Sequence, residues 1–299
     1  MKSDDFVSVR LFGGLGNQIF QYMAGKSLDI DRNCQLHVDS GWLRDGYSHE
    51  KSTISEFKFF LPEHQYEQMH RNRIHLYIDR LATVFARNSR VVARLLRINA
   101  PKSVGFEDLT EIECGTQLRG YYQSPRYFEK LVNSGVISQA SFELLQPSKA
   151  FKLLASQLET SGYIAIHVRG GDYLNKKSEY VELPIDYYLD ALNLLDTKYG
   201  HLPKWVFTDD EDHARKLFAS VIGLNFIENE SMTAAESMIL MSRADAIICA
   251  NSTFSYWASL INGQASSIVL PRTWMERTSQ SEDFFINGWQ VIDSTKSLS

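Results

Sequence analysis

Cysteine is scarce in this sequence: Cys34, Cys114 and Cys249 lie far apart and odd in number among 299 residues. They make neither a CxxC metal pattern nor a disulfide framework, so a reducing compartment is expected. Long apolar runs are missing too. No segment reaches the ~18 apolar residues of a spanning helix, and the richest stretch, DAIICANSTFSYWASLING, is broken by Asn and Ser. The opening MKSDDFVSVRLFGG carries Asp4 and Asp5 where a signal peptide needs an apolar core. A cytoplasmic protein is therefore expected. Positive charge is not in excess: the net charge of -5 argues against a nucleic-acid partner held by bulk electrostatics. HExxH, EF-hand and P-loop signatures are absent, so no metal is expected.

A chain of this length exceeds one comfortable core and suits two. Texture changes after QPSKAF, which places the boundary near residues 146–160 and the domains at 1–150 and 151–299. Charge is uneven along the chain. Arg71 to Lys102 holds eight Lys or Arg and one acid, Asp79, which leaves -12 for the remainder. Within that window Ile74, Tyr77, Ile78, Leu81, Val84, Phe85, Val91, Val92 and Leu95 recur at helical spacing. The simpler expectation is one or two helices with a core-facing apolar side and a solvated basic side. The alternative is a peripheral contact of segment 71–102 with anionic lipid at the inner membrane.

The first strand is expected at Val7–Phe12, followed by GGLGNQ, a helical pattern and a short strand ending at Asp39. Residues 40–110 are less regular and more helical, and the turn-rich RGYYQSPRYF follows. The second half alternates: YIAIHV, WVFT, NFIE, DAIICA and SIVL are strands separated by helices. Gly200 and Gly263 stop two of those helices, and Thr233 with Glu236 fits a capping box. This rhythm specifies a parallel sheet with helices on both faces.

Ligands of such sheets bind outside the carboxyl ends of the strands. The unusual polar residues of the second half fall there: His167, Arg169 and Asp172; Thr208, Asp209 and Asp210; Asn251, Ser252 and Thr253; Arg272. NSTF opens a helix whose free N–H groups and dipole favour an anion. Arg169 adds a permanent bidentate charge suited to phosphate. A plain N-cap and a structural Arg169–Asp172 pair are the simpler alternatives. His167 lies two residues from Arg169 on the same side of an extended chain and could read the edge of a base. Two D-x-D triplets, Asp29–Asp31 and Asp210–Asp212, read as exposed or helix-opening acids rather than metal ligands. GGLGNQ lacks the third Gly of a dinucleotide fingerprint, but Gly14 and Gly16 allow close backbone approach, and Asn17 donates and accepts.

These stretches resemble the bacterial α-1,2-fucosyltransferases of glycosyltransferase family 11. GGLGNQIFQYMAG, GYYQSPRYF, HVRGGDY, LPIDYY, FTDD, LMSRADAIICANSTFSYWASL and LPRTW follow in family order, across about residues 7 to 276. The resemblance implies a GT-B architecture: two Rossmann-like domains with parallel sheets and a helical, irregular insertion in the first. It implies an acceptor-side domain, then a donor domain, with GDP-β-L-fucose as donor. Transfer would invert the sugar and reach the 2-hydroxyl of a terminal β-galactoside, without metal. By the same resemblance Arg169 holds the β-phosphate, His167 contacts guanine, Ser252, Thr253 and Phe254 help on the donor side, and Asn17 lies near the reacting sugars. Asp209 and Glu236 join the donor list, as does Arg272 as a second positive charge. Asp39, Tyr122 and Gln123 are the acceptor-side candidates, and Asp172 and Asp39 are candidate bases. Two departures stand out. Gly170 occupies a place where the family usually has Arg, and Ser237 one where it usually has Asp.

The resemblance also suggests O-antigen or other surface-glycan synthesis with a lipid-linked acceptor. The alternatives are another nucleotide sugar or acceptor, a D-x-D metal-dependent transferase, a non-catalytic carbohydrate-binding protein, and a glycosidase using Asp209 and Asp210. Adjacent acids at a helix start do not face each other across a sugar ring, which counts against the last.

Overall fold

The computed structural model describes residues 6–32, 34–44, 54–60, 66–67, 73–101, 105–135, 137, 141–171, 181–227, 231–263, 267–274 and 284–294. The chain divides into two compact units, Met1–Val136 and Ile137–Ser299. The division precedes the 146–160 stretch because the intervening residues pack into the second unit. The Phe142 ring lies 6.2 Å from Trp257, and the Ser148 N–H donates to Glu236 Oε1 at 2.5 Å. Among the described residues, no helix is long and apolar enough to cross a membrane.

In the first unit, strands β1 (Phe6–Arg10), β2 (Gln35–Asp39), β3 (Tyr66–Glu67), β4 (Ile98–Asn99) and β5 (Gln117–Leu118) form one sheet in the order β3-β2-β1-β5-β4. Every pairing is parallel. Helix α1 (Leu15–Arg32) crosses from β1 to β2. Gly25 lets it lie close, since a Cβ there would sit 2.6 Å from Leu36 Cδ1. The other helices are α2 (Gly41–Arg44), α3 (Arg73–Asn88), α4 (Arg90–Leu96) and α5 (Glu129–Asn133).

Two sequence expectations fail in this unit. Cys34 and Cys114 are joined by a disulfide, with Cα atoms 5.8 Å apart and a sequence separation of 80. Parallel pairing causes the meeting: Cys34 immediately precedes β2, Cys114 closely precedes β5, and both strands flank β1. Cysteine usage therefore gives no argument for a reducing compartment.

The second failure concerns the basic helices. The helical spacing is real, but the apolar side faces out. Tyr77, Ile78, Leu81, Val84 and Phe85 of α3 are exposed, as are Val91 and Leu95 of α4. The inward side of α3 is polar or small. Asp79 Oδ2 pairs with Arg10 Nη2 at 2.7 Å and Asp79 Oδ1 with Arg119 Nη2 at 3.0 Å. Thr83 Oγ1 accepts from Arg119 Nη1 at 3.0 Å. Ala82, Ala86 and Ala93 pack with Ile98 and Ala100. Arg10 and Arg119 are buried, and a buried guanidinium without a carboxylate is far more costly than an exposed Leu. That cost decides which face of α3 turns inward. Arg71, the Ile74 side chain and Lys102 lie outside the described residues.

In the second unit, β6 (Ile164–Val168), β7 (Lys204–Thr208), β8 (Leu224–Phe226), β9 (Ala246–Ile248), β10 (Ile268–Pro271) and β11 (Gln290–Ile292) form a parallel sheet. Its order is β11-β10-β9-β6-β7-β8. The helices are α6 (Lys149–Ser161), α7 (Ile185–Tyr199), α8 (Glu211–Leu217), α9 (Ala234–Ser242) and α10 (Thr253–Asn262). Gly200 and Gly263 are their expected stops after α7 and α10. Strand β6 is buried throughout, and α7 packs Tyr187, Tyr188, Ala191 and Leu195 against the same core. Continuous burial is what a parallel strand covered on both faces requires.

Candidate active site

The chain leaves β6 toward β7 and β8 on one side, then returns to build β9, β10 and β11 on the other. The strand order thus reverses at β6, between β6 and β9. A crevice opens at such a point because successive connections run off in opposite directions, and ligands bind there at the carboxyl ends. Val168 ends β6 and Ile248 ends β9, so HVRGG and ANST are the two loops at the switch.

Arg169 follows β6 and is partly buried. Its Nη1 lies 2.7 Å from Asp209 Oδ2. The other oxygen, Asp209 Oδ1, accepts from the Gly170 N–H at 2.8 Å. Asp209, after β7, thereby fixes the backbone and the guanidinium of the β6 loop together. Asp172 lies outside the described residues. Gly170 has no room for a side chain, since a Cβ there would sit 2.6 Å from Asp210 Cβ. Asp210 is itself the N-cap of α8, with Oδ1 accepting from His213 N–H at 3.0 Å. The first acid of that D-x-D triplet is thus a cap, while Asp29 and Asp31 pair with Lys26 and Lys130.

After β9, Ser252 caps α10 and its Oγ accepts from Phe254 N–H at 3.3 Å. Asn251 is a strut: its Nδ2 donates to Val181 O at 2.7 Å and Trp274 O at 3.1 Å. Sequence reading put Asn251 at the site's edge but had no signal for this role. The α10 start points its remaining N–H groups and positive dipole end into the switch region. Arg272 follows β10, is exposed, and anchors its backbone N–H on Ile292 O at 2.8 Å.

His167 is buried, and its ring stacks obliquely on Phe254 with centroids 5.3 Å apart. Its Nδ1 is buried with no hydrogen-bond partner among the described residues. Burial, then the neighbouring Arg169 charge, pushes its pKa down to about 3, so the imidazole is neutral at pH 7. A neutral imidazole both donates and accepts, as recognition of a purine edge requires. Glu236 is spent elsewhere. It completes the capping box with Thr233, and its second oxygen takes the Ser148 N–H.

The first unit has its own switch point at β1, flanked by β2 and β5. Gly13 turns there with φ +74. Gly14 O receives Gln18 N–H at 3.0 Å, and Gly16 is buried in the first turn of α1. Buried Gln21 clamps the turn by bonding both Phe12 N–H and Phe12 O. Asn17 Oδ1 accepts from Gln123 Nε2 at 2.8 Å, so the start of α1 and the loop after β5 are joined. Tyr122 is not available in the same way: it is buried at φ 51 with its hydroxyl donating to Asn99 Oδ1 at 2.7 Å. Asp39 ends β2, buried, with Oδ1 on Gly41 N–H and Oδ2 3.4 Å from Arg10 Nε.

Two doubly wound units, one with an arginine and a helix start at its switch point, define an α/β enzyme equipped to hold an anionic ligand. The chain matches the family described as glycosyl transferase family 11 over residues 113–293 and belongs to that family. It is a glycosyltransferase. It is 28% identical over 291 residues to an alpha-1,2-colitosyltransferase of Escherichia coli, covering 91% of this chain and 93% of that relative. It is 27% identical to the O-antigen biosynthesis glycosyltransferase WbnK of Escherichia coli, covering 93% and 98%. A solved glycosyl transferase family 9 structure from Veillonella parvula superposes with a TM-score of 0.50 at 10% identity, covering 98% of this chain and 86% of that one. That likeness is one of fold, the GT-B type.

Proposed function

We propose that this enzyme moves L-fucose from GDP-β-L-fucose to the 2-hydroxyl of a terminal β-galactoside, with inversion, to make an α-1,2 linkage. The observation that carries the reading is the placement of Arg169 and the α10 start on the two loops of the β6–β9 switch point. A leaving diphosphate gains negative charge as the anomeric C–O bond breaks. Arg169, the α10 N–H groups and the Ser252 and Thr253 hydroxyls meet that charge in a partly dry site. Neutral His167, stacked on Phe254, reads the purine. This cation and these dipoles take the part a divalent metal plays elsewhere, so transfer is expected to persist in EDTA.

The first unit takes the acceptor role. Its polar pair Asn17–Gln123 and the carboxylate of Asp39 are the groups offered to a galactoside, with Asp39 or Asp172 as base for the attacking hydroxyl. A lipid-linked O-antigen unit is the acceptor class, in line with the relative named for O-antigen biosynthesis. A second reading takes activated colitose as donor, favoured by the relative of that name. Colitose is fucose without its 3-hydroxyl, and a site that hydrogen-bonds that hydroxyl rejects the deoxy sugar strongly.

The deciding experiment incubates the enzyme with each activated sugar and a panel of β-galactosides, with and without EDTA, followed by linkage analysis. The expected result is acceptor-dependent GDP release and an α-1,2-fucosyl product in both buffers. A product formed only from colitose, or at another hydroxyl, or only with metal, overturns the corresponding part of the reading.

A further inference from the structure

Helices α3 and α4 are amphipathic the wrong way round for a solvated surface. Phe85 is 59% exposed, Val91 68% and Leu95 78%, and Tyr77, Ile78 and Leu81 continue the ridge along α3. At helical spacing Tyr77, Ile78, Leu81, Val84 and Phe85 share one arc of about 120°. An apolar ridge of this extent on a folded unit marks a contact surface.

Charge says what the contact is. The same two helices present Arg87, Arg90 and Arg94, all exposed. Their one acid, Asp79, is turned inward onto Arg10 and Arg119. Across a cleft of about 1080 Å³ beside α4 stand Glu107, Asp108, Glu111 and Glu113. Of these Glu111 holds Arg94 at 3.0 Å, which discounts that arginine. Outside the window Arg71–Lys102 the chain carries -12. Two copies joined symmetrically through this ridge would set arginines against arginines, so a second copy is disfavoured. An anionic bilayer fits both features: the apolar side chains enter the boundary between headgroups and acyl chains, and the arginines reach up to the phosphates. The negative remainder of the chain is repelled by the same surface, which selects this face for docking.

We propose that α3 and α4 form a docking face for an anionic membrane surface. The inference stands apart from the donor and acceptor chemistry, and its test contains neither. Full-length protein is sedimented with phosphatidylcholine vesicles, with or without about one quarter phosphatidylglycerol, at low and high salt. Binding to the anionic vesicles alone, weakened by salt, is expected. The double variant Arg87→Gln/Arg90→Gln should bind about thirtyfold more weakly, and Phe85→Ser/Leu95→Ser about tenfold or more. Both variants change exposed side chains only, and circular dichroism and sedimentation velocity check that they stay folded. Failure to bind anionic vesicles, or variants binding as wild type, overturns the proposal. So does a wild-type dimer that Phe85→Ser/Leu95→Ser abolishes, which would assign the ridge to a second copy.

Discussion

Arg169, His167 and Gly170 show how much chemistry three neighbouring residues carry. His167 is held neutral by burial, its pKa down at about 3 against 6.5 when unfolded. Its contribution to stability is complete above about pH 6.5 and is lost as pH falls toward about 3, because only the unfolded state takes up the proton. Thermal melts from about pH 7.5 down to about pH 5 should show Tm falling, and His167→Asn should flatten that fall. An unchanged slope in the variant would assign the acid sensitivity to other groups. Gly170 makes a second prediction. The family resemblance leads one to expect arginine there, but here Asp210 stands where the Cβ would go. Gly170→Arg should therefore cost about 1–3 kcal/mol of stability and lower turnover rather than strengthen the phosphate clamp. A more stable or more active variant would show that Asp210 moves aside freely. Arg169 and the NST helix start were legible because loops at strand ends are where parallel sheets bind ligands. The Asp209 partner of Arg169 was not: it comes from the parallel pairing of β6 with β7, which no sequence proximity announces. Asn251 and Tyr122 likewise hide structural bonds that no spacing announces.

At the scale of elements, strand and helix alternation in the second half was plain, since each buried strand ends in a polar loop. The capping box at Thr233 and the glycine stops were equally readable, being local. Features that depend on distant pairing were not. Periodicity gives the arc of apolar residues on α3 but not which arc meets the sheet, and the Arg10–Asp79–Arg119 network makes that choice. The Cys34–Cys114 bond is similar, because only the flanking of β1 by β2 and β5 brings its ends together. Closing a loop of 80 residues stabilises by about 4.5 kcal/mol in the chain-entropy account. Reductant should lower the melting temperature, and Cys34→Ser should melt at the reduced position with no further response to reductant. Equal melting with and without reductant would mean the bond adds nothing.

For the whole molecule, two doubly wound units and membership of glycosyl transferase family 11 agree on an enzyme that handles an activated sugar. Acceptor identity was the least legible property, because residues 40–110 lack the strand–helix alternation that made the second half readable. Nucleoside diphosphate binding at the β6–β9 switch point is proposed to depend on Arg169. Calorimetric titration of GDP into wild type and Arg169→Ala tests it directly. Saturable binding to wild type is expected, with affinity lower by about tenfold to hundredfold in the variant, the worth of a charged hydrogen bond, and the fold unchanged. Equal GDP affinity in the two proteins would contradict it.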